Sequence, residues 1–279
     1  MNRRPVFLIS CLCFGFAFFY VPILSMIFFS FNKSRLATVW GGFSVQWYGK
    51  LFNNDQIIKA AVLSLKIALT SATFATIIGA MAGIALARFR AFRGKTLFTG
   101  LVTAPLIMPE VITGISSLML FIMMAEWIGW PGSRGFTTIT IAHITFSMTY
   151  VTTIVQSRLS SVDISVEEAA MDLGSKPWQV LTDITLPIIF PALLSGWLLA
   201  FTISLDDVVI TNFTTGPGYT TLPILIWSKV RLGVTPDINA LATVIVLVVA
   251  IGVALAGYIM HRSERQRERD IQLAIASNK

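Results

Sequence analysis

The sequence predicts an all-α integral membrane protein with six transmembrane helices and a long cytoplasmic loop between the fourth and fifth. Three observations predict it. Hydrophobic residues make up 55% of the chain and charged residues only 13%, where a soluble domain carries about 25% charged residues. The 20 Phe and 7 Trp have no soluble core to fill. The apolar residues also come in long runs: a hydrocarbon core about 30 Å thick needs about 20 apolar residues in a helix, and the stretches 6–31, 60–87, 96–125, 136–156, 188–212 and 239–260 qualify. The chain therefore reads as one transmembrane domain, 1–279.

The first stretch follows Arg3 and Arg4. Its apolar run is too long for a secretory signal core and no small-x-small cleavage site follows, so it reads as a retained helix with a charge anchor. It holds the two cysteines, Cys11 and Cys13. Small apolar thiols are expected to be buried, and two cannot close a structural zinc site. The third stretch carries Pro105 and Pro109, which can bend it. His143, in the fourth, reads as a satisfied buried histidine, and His261, after the sixth, as an interface residue. The chain ends in a tail, 262–270, of alternating charge that reads as a solvated helical extension.

Loop charge sets the orientation. With the N-terminus inside, the inner segments hold Arg3, Arg4, Arg88, Arg90, Arg93, Lys95, Arg158, Lys176, Arg262, Arg265, Arg267, Arg269 and Lys279. The outer ones hold Lys33, Arg35, Lys50, Lys59, Arg134, Lys229 and Arg231. The inner excess predicts both termini in the cytoplasm. These short clusters between apolar runs also argue against a nucleic-acid partner, despite the net charge of +7. Outer-loop aromatics such as Trp40, Trp47 and Tyr48 read as interfacial anchors, and Gly216-Pro217-Gly218 as a tight turn.

The inner loop, 158–187, is amphipathic. Ser165 and Glu168 have capping-box spacing. Val166, Ala169, Ala170 and Leu173 then form one apolar stripe. Gly174 suits a left-handed helix end, Pro177 the first turn of a second short helix, and Pro187 the close of that segment. The first helix is about 12 Å long, with Glu167, Glu168 and Asp172 on an acidic side. A short helix with a shallow apolar face suits a groove on another protein. The alternative is a helix resting on the membrane surface, where its acidic side is a poor match for anionic lipid.

Glu168-Ala169-Ala170, three residues, Gly174, nine residues and Ile184-Thr185-Leu186-Pro187 together resemble the EAA loop of bacterial ABC-importer permeases. Met108-Pro109-Glu110-Val111-Ile112-Thr113-Gly114, Ser204-Leu205-Asp206-Asp207-Val208-Val209-Ile210 and the segments 40–48 and 216–243 resemble the permease subunits of putrescine/spermidine importers. The order of motifs is nearest to the putrescine type. The resemblance implies an ATP-driven polyamine importer in the bacterial inner membrane, with this chain lining half of the pathway. It implies as partners a second, non-identical permease subunit, two ATP-binding subunits and a periplasmic polyamine-binding protein. Glu168, Ala169, Ala170, Asp172 and Gly174 would form the ATPase-coupling helix.

No cofactor, metal site or catalytic residue is expected. Gly94-Lys95-Thr96 looks like the end of a phosphate loop, but the earlier glycine would fall on Phe89 and no soluble strand precedes it. Ionisable groups within a span are costly, about 2.5–3.5 kcal/mol near the centre. Lys66, Glu110, Asp206 and Asp207 are such groups, and helix rise puts all of them in the outer third of the bilayer. Glu110, Asp206 and Asp207 are the expected substrate pathway for a di- or polycation. The alternative is structural: a Lys66–Glu110 ion pair and interface aspartates. Competing functions are a permease for another small cationic solute, a secondary transporter or channel, which gives the EAA loop no purpose, and a membrane-embedded enzyme, for which no catalytic constellation is present.

Overall fold

The computed structural model describes residues 3–36, 39–89, 91–233, 235–251 and 254. The described residues are almost wholly helical: α1 Arg3–Ser30, α2 Gln46–Phe52, α3 Asp55–Arg88, α4 Lys95–Ile107, α5 Glu110–Ile128, α6 Phe136–Ser160, α7 Ser165–Asp172, α8 Pro177–Val180, a π-helical turn Leu181–Thr185, α9 Leu186–Asp206, α10 Val209–Thr214 and α11 Leu222–Leu232. A further apolar helix, α12, spans Pro236–Ile251. Five of the described helical stretches are long and apolar enough to cross a membrane.

Two of the expected spans are broken. The stretch 96–125 divides into α4 and α5 at Met108-Pro109. Met108 sits in the extended region, φ −77° and ψ 140°, because a residue preceding proline is pushed out of the helical basin. The stretch 188–212 divides at Asp207, φ −64° and ψ 129°, where no proline explains the break. There the Asp207 carboxylate accepts the Ile210 and Thr211 amides at 3.2 and 2.7 Å and so starts α10 anew. The sixth expected span, 239–260, begins inside α12 and ends outside the described residues. So do His261 and the tail 262–270.

Contacts divide the chain into two compact units. The first comprises residues 1–55 with 229–279. Here Asn32 organises the segment after α1: its Oδ1 accepts the Ser34 and Gly41 amides, and its own carbonyl accepts Trp47 Nε1–H at 2.6 Å. Trp47 is thus buried as part of this knot, not set out as an interfacial anchor. Trp40 stacks on Phe28 at 4.5 Å. Cys11 and Cys13, expected inside, lie on the exposed surface of α1, which buries none of its apolar window within the chain. Lys229 Nζ pairs with Asp237 at 2.6 Å.

The second unit, Gln56–Ser228, is built on α3, α6 and α9. Its core joins Ala72 and Ala75 of α3, Val151, Val155 and Leu159 of α6, and Ile189 and Ala200 of α9. Close approach of α3 to α6 rests on Gly79 and Gly83, a GxxxG pair. A Cβ at Gly79 would meet Met148 O at 2.8 Å, and one at Gly83 would meet Thr152 O at 2.9 Å. Along the chain, residues 79 and 83 of α3 meet 148 and 152 of α6, so these helices run in the same direction, while α9 returns antiparallel to them. Gly83→Ala is expected to cost about 1–3 kcal/mol by overpacking against backbone. It should lower the thermal midpoint of the detergent-purified protein. Gly100→Ala, where a Cβ meets nothing within 4 Å, should leave the midpoint unchanged or raised.

Candidate functional site

The helix breaks collect the acidic residues. Pro109 ends one helix and makes Glu110 the first residue of α5. Asp206 is the last residue of α9, and Asp207 occupies the break before α10. All three carboxylates line one cavity of about 410 Å³, beside Phe146 and Tyr150 of α6. The two rings meet edge to face at 5.5 Å. Discontinuous membrane helices commonly present their free ends to a bound ion or substrate. Here the carbonyl end of α9 adds its dipole to the Asp206 charge, and the aromatic faces add cation–π attraction. The arrangement is electrostatically suited to an ammonium group.

The two adjacent aspartates differ. Asp206 is exposed to the cavity. Asp207 is 8% exposed and committed elsewhere: it meets His143 Nε2 at 3.2 Å and accepts the Thr211 hydroxyl at 2.7 Å, besides the α10 amides. His143 Nδ1 lies 2.6 Å from Ser204 Oγ, which in turn accepts Ser71 Oγ–H at 2.9 Å. A proton on Nε2 suits the Asp207 side of the ring, and Nδ1 then accepts the Ser204 hydroxyl. One buried chain of hydrogen bonds therefore ties α3, α9, α6 and α10 together, and His143 is a buried, satisfied histidine as expected. Among the described residues no ion pair joins Lys66 to Glu110; both side chains are exposed.

The second site is the loop helix α7. Its C-terminus is a full Schellman motif: Ser175 N–H donates to Ala170 O at 3.0 Å and Gly174 N–H to Met171 O at 2.9 Å, with Gly174 at φ 91°. The start differs from the expected capping box. Ser165 is inside the helix, and its amide donates to Asp163 Oδ1 at 3.0 Å. That bond, with one to the Ser165 side chain, holds Asp163 below the usual carboxylate range. Pro177 opens α8 as expected. Pro187 does not close the segment: the helix runs on from α8 through the π turn into α9. A proline has no amide to offer a carbonyl one turn back, and the π turn, with Leu186 N–H donating to Leu181 O, re-registers the ladder just before it.

Glu167 also departs from expectation. It does not join Glu168 and Asp172 on an acidic outer side but turns inward. Its carboxylate receives Arg88 Nε at 3.0 Å and the Thr185 hydroxyl at 2.9 Å, while Arg88 Nη1 donates to Leu159 O at 3.2 Å. The α7 helix is thereby pinned to the end of α3 and to the π turn. Glu168, Ala169, Asp172 and Gly174 are exposed and Ala170 is half-buried; Val166 and Leu173 stand out at 46% and 89% exposure. Neither the Glu167–Arg88 clasp nor the part played by Phe146 and Tyr150 was read from the sequence. Neither carries a local signal, since Glu167 and Glu168 are equivalent in sequence and the two rings sit in an apolar run.

These features, with an all-helical membrane fold, define a transport subunit. Residues 75–269 match the family described as binding-protein-dependent transport system inner membrane component, and the chain belongs to that family: it is a multi-pass inner-membrane permease subunit of an ABC importer and not an enzyme. It is 53% identical over 278 residues to the putrescine transport system permease protein PotI of Escherichia coli (strain K12), covering 98% of this chain and 99% of that one. It is 41% identical over 249 residues to the spermidine/putrescine transport system permease protein PotC of the same organism, covering 89% and 91%. In fold it is similar to a chain of a bacterial ABC transporter involved in the import of the acidic polysaccharide alginate: the TM-score is 0.73 and identity 18%, over 92% of this chain and 94% of that one.

Proposed function

We propose that this chain is the membrane-spanning permease subunit of an ATP-driven polyamine importer whose substrate is putrescine. The observation that carries the reading is the cavity at the broken helices, where Glu110 and Asp206 face an opening beside two aromatic rings. Its chemistry suits a flexible dication and agrees with what two similar proteins are named for. Putrescine carries two positive charges at neutral pH, and an unescorted ammonium in an apolar medium costs tens of kcal/mol. The carboxylates and rings supply the escort. Asp207 shapes the site by holding α10.

In this reading residues 1–279 form a single transmembrane permease domain of six spans, with both termini in the cytoplasm. The chain pairs with a second, non-identical permease. A periplasmic polyamine-binding protein delivers substrate to the acidic end. Two ATP-binding subunits dock on the other side, where Glu168, Ala169, Ala170, Asp172 and Gly174 form the helix that transmits their closure. The exposure of Ala169 and Leu173 on a firmly anchored helix supports this.

The test is ATP-dependent uptake of labelled putrescine by the co-purified complex in proteoliposomes. Ala169→Glu places a charge on a surface that docking would bury, with no internal contact to lose. It should cut uptake by about tenfold, equivalent to about 1.4 kcal/mol of coupling, while the chain still inserts. Uptake that ignores the substitution would show that α7 does not dock. Uptake that is independent of ATP but abolished by a proton uncoupler would point to a secondary transporter.

A further inference from the structure

We propose that the importer holds its diamine at a second, inner position, an open, carboxylate-free groove between α6 and α9 flanked by Arg158, from which the substrate is released. The inference rests on the importer reading above, including its orientation. It deepens that reading by saying how a pathway that attracts a dication at its mouth lets it go.

The groove has a volume of about 770 Å³ and is lined by Thr153, Ser157 and Arg158 of α6, by Ser161 just after it, and by Pro191 and Ser195 of α9, among others. The same two helices wall the acidic cavity. On α6, Phe146, Tyr150, Ser157 and Ser161 recur at spacings that keep them on one helical face. On the antiparallel α9, Asp206 and Ser195 also share a face, since eleven residues make about three turns. Val151 against Gly196 sets the helix contact between the two openings, with 3.3 Å from a Cβ at Gly196 to Val151 Cγ1. From Tyr150 to Ser157 is about 10 Å along the axis at 1.5 Å per residue. The two openings thus lie along one face of the same helix pair and differ in chemistry.

Among the described residues, the outer opening has three carboxylates and the inner groove none. Three of its hydroxyls spend their protons on nearby carbonyls: Thr153 Oγ1 donates to Thr149 O at 2.9 Å, Ser195 Oγ to Pro191 O at 2.8 Å and Ser161 Oγ to Arg158 O at 2.7 Å. The hydroxyl oxygens keep lone pairs that can accept from an ammonium group, neutral acceptors far weaker than a carboxylate. Among the described residues of the lining, the single charge is the Arg158 guanidinium. Arg88, the neighbouring cation at this end, is neutralised by Glu167. Arg158 makes no ion pair among the described residues and its side chain is exposed. A dication moving inward therefore leaves negative charge, passes neutral oxygens and meets a like charge. Each step lowers its affinity, and from the cytoplasm the same guanidinium opposes re-entry.

The experiment is trans-inhibition in proteoliposomes carrying the whole complex: binding protein and labelled putrescine on one face, ATP and increasing unlabelled putrescine on the other. Arg158→Gln should lower the inner putrescine concentration that halves uptake by about tenfold, and Arg158→Glu by more, since it replaces repulsion with attraction. The concentration dependence on the outer face should stay that of the parent. Ser157→Asp leaves Arg158 and its contacts in place and should produce the same shift; it decides the matter if an Arg158 variant fails to assemble. Parent-like trans-inhibition in the assembled variants overturns the proposal. So does a loss of uptake with no shift, which would make Arg158 an anchor to anionic headgroups. A parent complex that moves no putrescine at all defeats the importer reading, and this inference with it.

Discussion

Glu167→Ala will leave the permease inserted in the membrane but sever ATP hydrolysis from uptake, with transport falling by about a hundredfold. The Arg88 and Glu167 side chains are 13% and 11% exposed, and their atoms meet at 3.0 Å. Removing one partner of a buried pair costs about 3–5 kcal/mol, because the other charge is left uncompensated. That loss falls on the one attachment that ties α7 to both α3 and the π turn. The described contacts give α7 few other holds, since Glu167 is its only buried residue. A loosened α7 can still meet an ATPase but no longer moves α3 and α9 with it. Measuring ATPase activity and uptake on the same proteoliposomes separates the two. Glu167→Gln, which keeps an acceptor for Arg88 and Thr185, should lose much less. The double replacement Arg88→Met with Glu167→Leu should recover part of the loss, because an apolar pair of similar volume removes the stranded charge. Equal loss in the single and double variants would show that the pair acts only through the identity of Glu167.

Asp206→Asn and Asp207→Asn will fail in different ways. Asp206 touches the cavity and none of the described hydrogen bonds depends on its carboxylate, so the amide should fold normally and cut putrescine uptake by about tenfold or more, the loss of one close charge partner in a site of intermediate dielectric. Asp207 accepts two backbone amides and the Thr211 hydroxyl and faces His143. Its amide replacement turns an acceptor-only group into one that must present N–H to one of these donors. Lost charge-assisted bonds of this kind are worth about 1.5–3 kcal/mol each. The expected result is a lowered thermal midpoint and reduced assembly, with uptake falling in proportion to the assembled fraction. Normal stability for Asp207→Asn together with a large transport defect would reverse these two roles.

The class of fold was legible because the bilayer imposes a length and a composition that are hard to mistake. The loop helix was legible for a similar reason: Gly174 and Pro177 mark its end and its successor chemically, and both stand where expected. What escaped sequence reading was decided by tertiary contact. Hydropathy runs straight through Met108-Pro109 and through Asp207, so two helix breaks were read as continuous spans. At the second, a side chain competing for backbone amides leaves no hydrophobic signature. Adjacent acids were equally opaque. Glu167 and Glu168 look interchangeable in a helix, as do Asp206 and Asp207, yet in each pair one carboxylate is buried against a cation or histidine and the other is open. Cys11 and Cys13 were expected inside and lie exposed, while Trp47 was expected at the interface and lies buried; a residue's usual habit does not say what its neighbours are.

Transport by this chain turns on the handling of positive charge by the cavity at the broken helices. That handling is tested most directly by comparing three solutes of similar length in proteoliposomes with the complete complex: putrescine, butylamine and butanol, each labelled and each supplied with and without ATP. The expected result is ATP-dependent accumulation of putrescine, little of butylamine and none of butanol, with Asp206→Asn lowering putrescine uptake by about tenfold while the complex still assembles and hydrolyses ATP. Uptake of butanol at the rate of putrescine, or an assembled Asp206→Asn complex that transports putrescine like the parent, would contradict it.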